Sequence, residues 1–458
     1  MVGCSRPVHL RLLTGAAATV AACLADPAAA QVLEQQGVDY ATSGSPVTVS
    51  LTGLTGVVPV ILTTTGGWSI DASGTNGSVQ LSGTQSSTTG PGTADALLAF
   101  LASSNMASSA TAADATDAGS VTVTAAGAIS LSGVSGVTTP PAGLSVVSRG
   151  AEGFRETGSQ ETDGGYVTQF PEPSGSSPYS IATFSGTQGS AAGLTIGGGA
   201  SVSVSGTGSG GQVDFLTPTL VSVAVGSFGG DGSIGYYTTG IDQSPTPYPG
   251  NGGGAGNVTV TTAAGSAVSL AQTGAGSNAV GLSAISQGGN AASADLITTE
   301  DHFVAGSAGA AGSVSIKHAG RIDVQAPWGT GIFAESVGGN GNISGGSPDP
   351  TAEGTTPLPT PANGGSVGVT LATGGTVTMA QGGIGVLALS RAGDWTPTGS
   401  YAVPTGGPVT VTLEQGATIA TEGAAFSPPA FSFGVLAVSA GQSLVSDPAI
   451  GPGSQIGA

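Results

Sequence analysis

The chain has 458 residues, of which 82 are glycine and only 7% are charged, and its formal net charge at pH 7 is −19. So few cations among so many carboxylates exclude a phosphate-backbone partner, which needs clustered Lys and Arg, and argue against an anionic membrane surface. Glycine without a G-X-Y period excludes collagen. A mean hydropathy of +0.26 with regularly alternating Val and Ile argues against disorder.

Residues 1–30 read as a secretory signal peptide. Arg6 and Arg11 give the positive start, Leu12–Leu24 is apolar but too short to span a bilayer, and Ala28-Ala29-Ala30 precedes Gln31. Cleavage is expected between Ala30 and Gln31. Val20-Ala21-Ala22-Cys23 is a competing lipobox that would anchor the chain through Cys23. Both cysteines, Cys4 and Cys23, lie in this leader, so the exported chain is expected to hold itself without disulfides. Loss of Arg6, Arg11 and Asp26 with the leader leaves five Lys and Arg against 25 Asp and Glu, a net of −20.

Residues 31–117 are expected to form an N-terminal cap and the first strands, at Pro46–Leu51, Val57–Leu62 and Ser69–Ala72, with turns of Gly and Thr between them. Ala94–Ala102 is the one stretch with helical composition, and is read as a loop insertion or part of the N-terminal cap.

Residues 118–442 are built from repeats. Each opens on an alternating strand, at Val121–Thr124, Val202–Ser205, Val258–Thr261, Val314–Ile316, Val367–Thr370 and Val409–Thr412. A turn and a second strand follow, as at Ala128–Leu131, Ala267–Leu270, Ile322–Val324, Val377–Ala380 and Thr418–Ala420. A third strand closes the unit, best seen at Gly331–Asn340 (GIFAESVGGN). Alternate residues of a strand share a face. One face of this strand carries Ile332, Ala334 and Ser336. Its copies carry Leu144, Val146, Ser148; Val223, Val225, Ser227; Leu282, Ala284, Ser286; Val386, Ala388, Ser390; and Val435, Ala437, Ser439. The other face varies. A uniform face beside a variable one predicts that each unit stacks on its copies, with like residues in ladders inside a solenoid. Three short strands per unit predict an all-β chain folded as a right-handed parallel β-helix (solenoid) with irregular loop insertions. The Pro-rich insertions Phe170–Pro178, Ser244–Pro249, Ser347–Pro361 and Pro404–Pro408 belong outside the central strands. Residues 443–458 form a Gly/Pro/Ser-rich tail.

Little in the sequence points to catalysis, and no catalytic, cofactor or metal residue is assigned. Gly364–Gly368 matches G-x-S-x-G, but Pro, Ala and Asn precede it and a strand follows, where a nucleophile elbow needs a strand before and a helix after. His302, in Glu300-Asp301-His302, and His318, beside Lys317, are expected in solvated loops or turns. The Gly-Gly-x-Gly turns at Gly229–Gly232 and Gly338–Gly341 resemble a calcium nonapeptide, but lack its aspartate and its nine-residue period, and read as turn glycines. A β-helical polysaccharide lyase or hydrolase would need carboxylates, cations and aromatics converging in a groove. Arg321, Asp323, Glu335, Asp394, Trp328 and Trp395 are the candidates; Trp68 lies far from them in sequence.

The leader, the cysteine-free acidic Gly/Ser/Thr-rich chain and the units G-x-V-x-V … G-Φ-x-A-x-S-x-G-G, over roughly Gly119–Gln442, resemble the passenger region of bacterial autotransporters. The resemblance implies a β-helix displayed outside the outer membrane, with a structural or adhesive role and a partner on a host or neighbouring-cell surface, or a glycan. An autotransporter also has a C-terminal translocator barrel; no amphipathic barrel strands close this sequence, so the outer-membrane translocator is expected to lie outside it.

Overall fold

The structure is a computed structural model. It describes residues 117–153, 185–207, 220–237, 246–274, 279–296, 302–341, 361–394, 404–421 and 432–441, save 119, 136–141 and 381. It also describes the earlier strands Tyr40–Ala41, Val60–Ile61, Trp68–Asp71, Gly77–Thr88 and Ala96–Ser103. The leader with its Ala30–Gln31 junction, Pro46–Leu51, Phe170–Pro178, Glu300, Asp301 and Trp395 lie outside the described residues.

The chain is a parallel β-helix. Every described element is a strand, and two large sheets form its walls, with strands paired parallel to their copies in neighbouring rungs. The first side is built from Ala192–Ile196, Val258–Thr262, Val314–His318, Val367–Leu371 and Val409–Leu413. Ser201–Thr207, Ala267–Thr273, Arg321–Gln325, Thr376–Met379 and Thr418–Thr421 form the second. On the third side stand Ala142–Arg149, Leu220–Phe228, Ala279–Gln287, Gly329–Val337, Gly383–Arg391 and Ser432–Ala440. Val121–Ser135 runs through both the first and the second side as one strand.

The register is set by the uniform face. Leu282 pairs with Ile332 and Ile332 with Val386, Ala284 with Ala334 and Ala334 with Ala388, Ser286 with Ser336 and Ser336 with Ser390. These residues are buried in the lumen with the Val, Ile and Leu of the other two sides. A slip of one residue would turn the whole set outward, so the pattern admits one register.

Between the first and second sides the chain turns in four residues. Gly199, Gly265, Gly374 and Gly416 each occupy the third position at φ near +80° (81°, 81°, 78° and 79°), closed by bonds such as Ser266 N–H to Ala263 C=O at 3.1 Å. This is the type II geometry that a Cβ disfavours. The rung at 314–325 differs, because only Ala319 and Gly320 separate its two strands.

Two expectations are corrected. Ala94–Ala102 is not a loop insertion: Ala96–Ser103 is a strand paired on both sides, with Trp68–Asp71 and with Ala142–Arg149, sheet pairing overriding local helical composition. Val202–Ser205 does not open its rung but lies on the second side; the opening strand is Ala192–Ile196, with Gly193 where its copies carry Thr259 and Ser315. The variable face of the third side is itself partly buried. Phe333, Leu387 and Leu389 are buried there in a second apolar cluster, joined by Glu335 at 5% exposure.

At the last described rung the lumen opens. Leu413 and Val435 are 48% and 40% exposed, whereas their partners one rung earlier, Leu371 and Val386, are fully buried.

Candidate interaction surface

One corner of the β-helix is unlike the other two. The connection from the third side to the next first side is the longest in each rung, at 150–191, 229–257, 288–313, 338–366 and 392–408. Among the described residues, two of these excursions contain antiparallel hairpins. Ile234–Tyr237 pairs with Thr246–Pro249, and Ser293–Leu296 pairs with His302–Ala305. The expected Pro-rich insertion Ser244–Pro249 thus supplies a hairpin strand, where proline does not interrupt a central ladder.

Three hydrogen-bonded columns hold the necks of these excursions. In the first, outgoing and returning segments alternate along the axis. Thr187 N–H donates to Ala151 C=O, Gly230 to Thr187, Gly253 to Gly230, Gly289 to Gly253, Gly309 to Gly289, Gly339 to Gly309, Ala362 to Gly339 and Gly393 to Ala362, at 2.8–3.1 Å. Both legs of each excursion are therefore interleaved with those of the next. Glycine is required for this approach, since a Cβ on Gly289 would stand 2.0 Å from the Gly230 carbonyl oxygen.

The second column uses the Ser of the Φ-x-A-x-S pattern. Ser227, Ser286, Ser336 and Ser390 each donate Oγ–H to the carbonyl of a returning segment, at Ser190, Gly256, Gly312 and Gly365. Each also accepts the N–H of the next rung's equivalent residue, at Gly256, Gly312, Gly365 and Gly407. A hydroxyl is thus inserted between successive peptide groups where strand pairing has opened, and neither N–H nor C=O is left unpaired in the buried corner.

In the third column the side chains of Asp231, Asn290 and Asn340 accept the N–H of the next rung's equivalent, Asn290, Asn340 and Asp394, at 2.7, 2.9 and 2.6 Å. This explains Asp or Asn after each Gly-Gly pair. The carboxylate of Asp231 caps a neck, and among the described residues no group of three His, Cys, Asp or Glu is placed to hold a metal ion.

Among the described residues, the candidates for sugar chemistry lie in separate contacts. Arg321 pairs with Asp323 on the second side. Glu335 pairs with Arg391 at 2.7 Å on the outer face of the third side. Asp394 stands at the excursion corner. Trp328 lies between the second and third sides, where it holds φ at +59°, an uncommon conformation for a bulky residue. Trp68 belongs to the strand Trp68–Asp71. Gly364–Gly368 runs from a neck into the strand Val367–Leu371, with Ser366 exposed, and forms no elbow.

Both histidine expectations are corrected. His302 opens a hairpin strand. His318 is fully buried at the short corner, in the column of Ile196, Thr262 and Leu371. Its Nε2 lies 3.1 Å from the Thr376 carbonyl and its Nδ1 2.6 Å from Thr262 Oγ1. A carbonyl only accepts, so Nε2 carries the proton and the Thr262 hydroxyl donates to Nδ1. Burial lowers the imidazole pKa from its ordinary 6.5, and hydrogen bonds to the backbone of Thr376 and Gly320 oppose this in part.

Comparison with protein-family models, with curated proteins and with solved structures finds no match to this chain.

Proposed function

We propose that this chain is an exported, passenger-like β-solenoid, displayed at a cell surface or released from it, whose role is structural and adhesive. The observation that supports this reading is that the longest connection of each rung falls at one corner, on necks whose described residues are fixed by continuous columns. A rigid wall that spends its irregular segments on one edge suits presentation, because binding residues sit preferentially on loops held by a scaffold. The acidic, cation-poor composition directs it to partners other than nucleic acid. A β-helical carbohydrate-active enzyme is the alternative, but its carboxylates and cations lie in ion pairs on separate sides. The test is protease shaving of intact cells of the native organism, with mass spectrometry of the released peptides and of the intact polypeptide. Peptides of this chain released without lysis support display. Retention of the chain inside unlysed cells, with none in the medium, overturns it.

A further inference from the structure

The Asp and Asn side chains that cap the necks belong to a larger device. Asn340 Oδ1 accepts the N–H of Asp394 at 2.6 Å, and the N–H of the following Gly341 donates to the carbonyl of that same Asp394 at 3.1 Å. Asn251 and Gly252 hold Ser307 in the same way, at 2.8 and 2.9 Å. Asn363 and Gly364 hold Thr405, at 2.8 and 3.1 Å. The N–H and the C=O of one residue are thus both gripped from the preceding rung. The same two bonds join Asp117 and Ala118 to Gln188, Asp231 and Gly232 to Asn290, Asn290 and Ala291 to Asn340, and Asn257 and Val258 to Ser313. The clamps at Asn251, Asn340 and Asn363 are set apart because glycine follows the asparagine. Asparagine is thermolabile, and a following glycine leaves its nitrogen sterically open to the side-chain amide. A further Asn-Gly pair begins at Asn76, which lies outside the described residues.

We propose that Asn251, Asn340 and Asn363 are intramolecular deamidation sites gated by the stacking of the rungs, shut while the next rung is docked and open once it leaves. In this reaction the Gly nitrogen bonds to Asn Cγ, and the bond from Cγ to the side-chain nitrogen breaks. That nitrogen departs as ammonia, carrying the proton that the Gly nitrogen gives up. Water then opens the succinimide ring to aspartate or isoaspartate. Asn251 and Asn363 are exposed and Asn340 is half-buried, so water reaches all three. Stacking opposes the first step at both ends. The Gly N–H that must be released is committed to a carbonyl, and the oxygen of the attacked amide is held by an N–H, which stops that amide from swinging over the peptide nitrogen. The two products differ in consequence. Aspartate keeps the accepting oxygen, and Asp117 and Asp231 already fill clamps. Isoaspartate routes the main chain through the side chain and lengthens it by one carbon, so oxygen and N–H no longer face a single residue and the clamp is broken. The gates are unequal. Thr405 belongs to the last described rung, where Leu413 and Val435 are half exposed, whereas Ser307 and Asp394 belong to earlier rungs. End rungs of a stack open first, so the gate on Asn363 opens most often.

The test is peptide mapping by mass spectrometry of the full chain aged at mildly alkaline pH, native and in guanidinium, with aspartate and isoaspartate separated at each site. The expected result is that Asn251 and Asn340 convert at least about tenfold more slowly in the native chain than in guanidinium, the scale of one hydrogen bond given up to reach the reactive geometry. Asn363 should convert faster than both in the native chain. Thr405→Pro removes the N–H that holds Asn363 Oδ1 and should speed conversion at Asn363 alone. If that variant fails to fold, as judged by circular dichroism, the ranking of the three sites in the native chain still decides. Equal rates in the native and denatured chain, a native rate at Asn363 no higher than at Asn251 and Asn340, or a folded Thr405→Pro chain in which Asn363 is as slow as before overturns the proposal.

Discussion

Thr262 Oγ1 lies 2.6 Å from His318 Nδ1, and the two residues occupy successive places in a column otherwise filled by Ile196, Leu371 and Leu413. A polar pair has replaced two aliphatic residues and satisfies itself inside the lumen, one member on each of two rungs. It does so where the turn is shortened to Ala319-Gly320.

Acid sensitivity follows from this pair. Above about pH 6.5 the imidazole is neutral in the folded and unfolded chain alike, so it adds no pH dependence. As pH falls through 6.5 the unfolded chain binds a proton that buried His318, with its lowered pKa, does not, and stability declines. The midpoint of thermal unfolding should therefore drop between about pH 7.5 and 5.5. In the double variant Thr262→Val, His318→Leu this part of the decline should vanish, while any contribution from His302 remains. An identical pH profile for the two proteins would show that His318 does not govern it.

The serine column predicts a graded series. Ser336→Ala leaves the Gly312 carbonyl and the Gly365 N–H unpaired in a buried corner, at ~1–3 kcal/mol for each group. Ser439 donates to Gly407 at the open end, and Ser439→Ala should cost less than Ser336→Ala. Urea denaturation of both variants measures the difference, and equal costs would contradict the relay.

Thr330 is fully buried with its hydroxyl unpaired, between Val280 and Ile384 in register. Replacing it by isosteric valine removes an unsatisfied polar atom from an apolar column, and Thr330→Val should stabilise by about 1 kcal/mol or more. A lower unfolding midpoint in that variant would refute this account of the position.

Leu371 and Leu413 are register partners, one buried and one half exposed. Leu371→Ala should cost about 2–5 kcal/mol as a lumen cavity. Leu413→Ala should stay within about 0.5 kcal/mol, as at an ordinary surface position. Parallel denaturation curves decide whether the end rung is as open as its exposure indicates.

The wall was legible because its period is simple. Ile332, Ala334 and Ser336 recur with their copies, and a face that meets itself must be uniform. Other features left a weaker trace. Ala192–Ile196 was hidden because Gly193 breaks the Val-Thr alternation and Gly197-Gly198-Gly199 reads as loop. Burial of His318 was visible only as a deletion, Lys317–Arg321 against Thr261–Ala267, once the copies are aligned. The Asp231, Asn290, Asn340 and Asp394 column was present in the Gly-Gly-Asp/Asn spacing, but its role as a cap for the next rung's N–H depends on axial stacking, which no single repeat reveals. The hairpins depend on antiparallel pairing across segments that share no period with the wall.

The neck columns also separate two quantities that are coupled in most folds. Because Gly230, Gly253, Gly289, Gly309 and Gly339 close each excursion at its base, the distance from one rung to the next is set there and not by what lies beyond. An excursion can lengthen, shorten or exchange its sequence without changing the rise of the wall or the register of its neighbours. Selection can therefore act on the presented segments one at a time, with the frame unaltered beneath them.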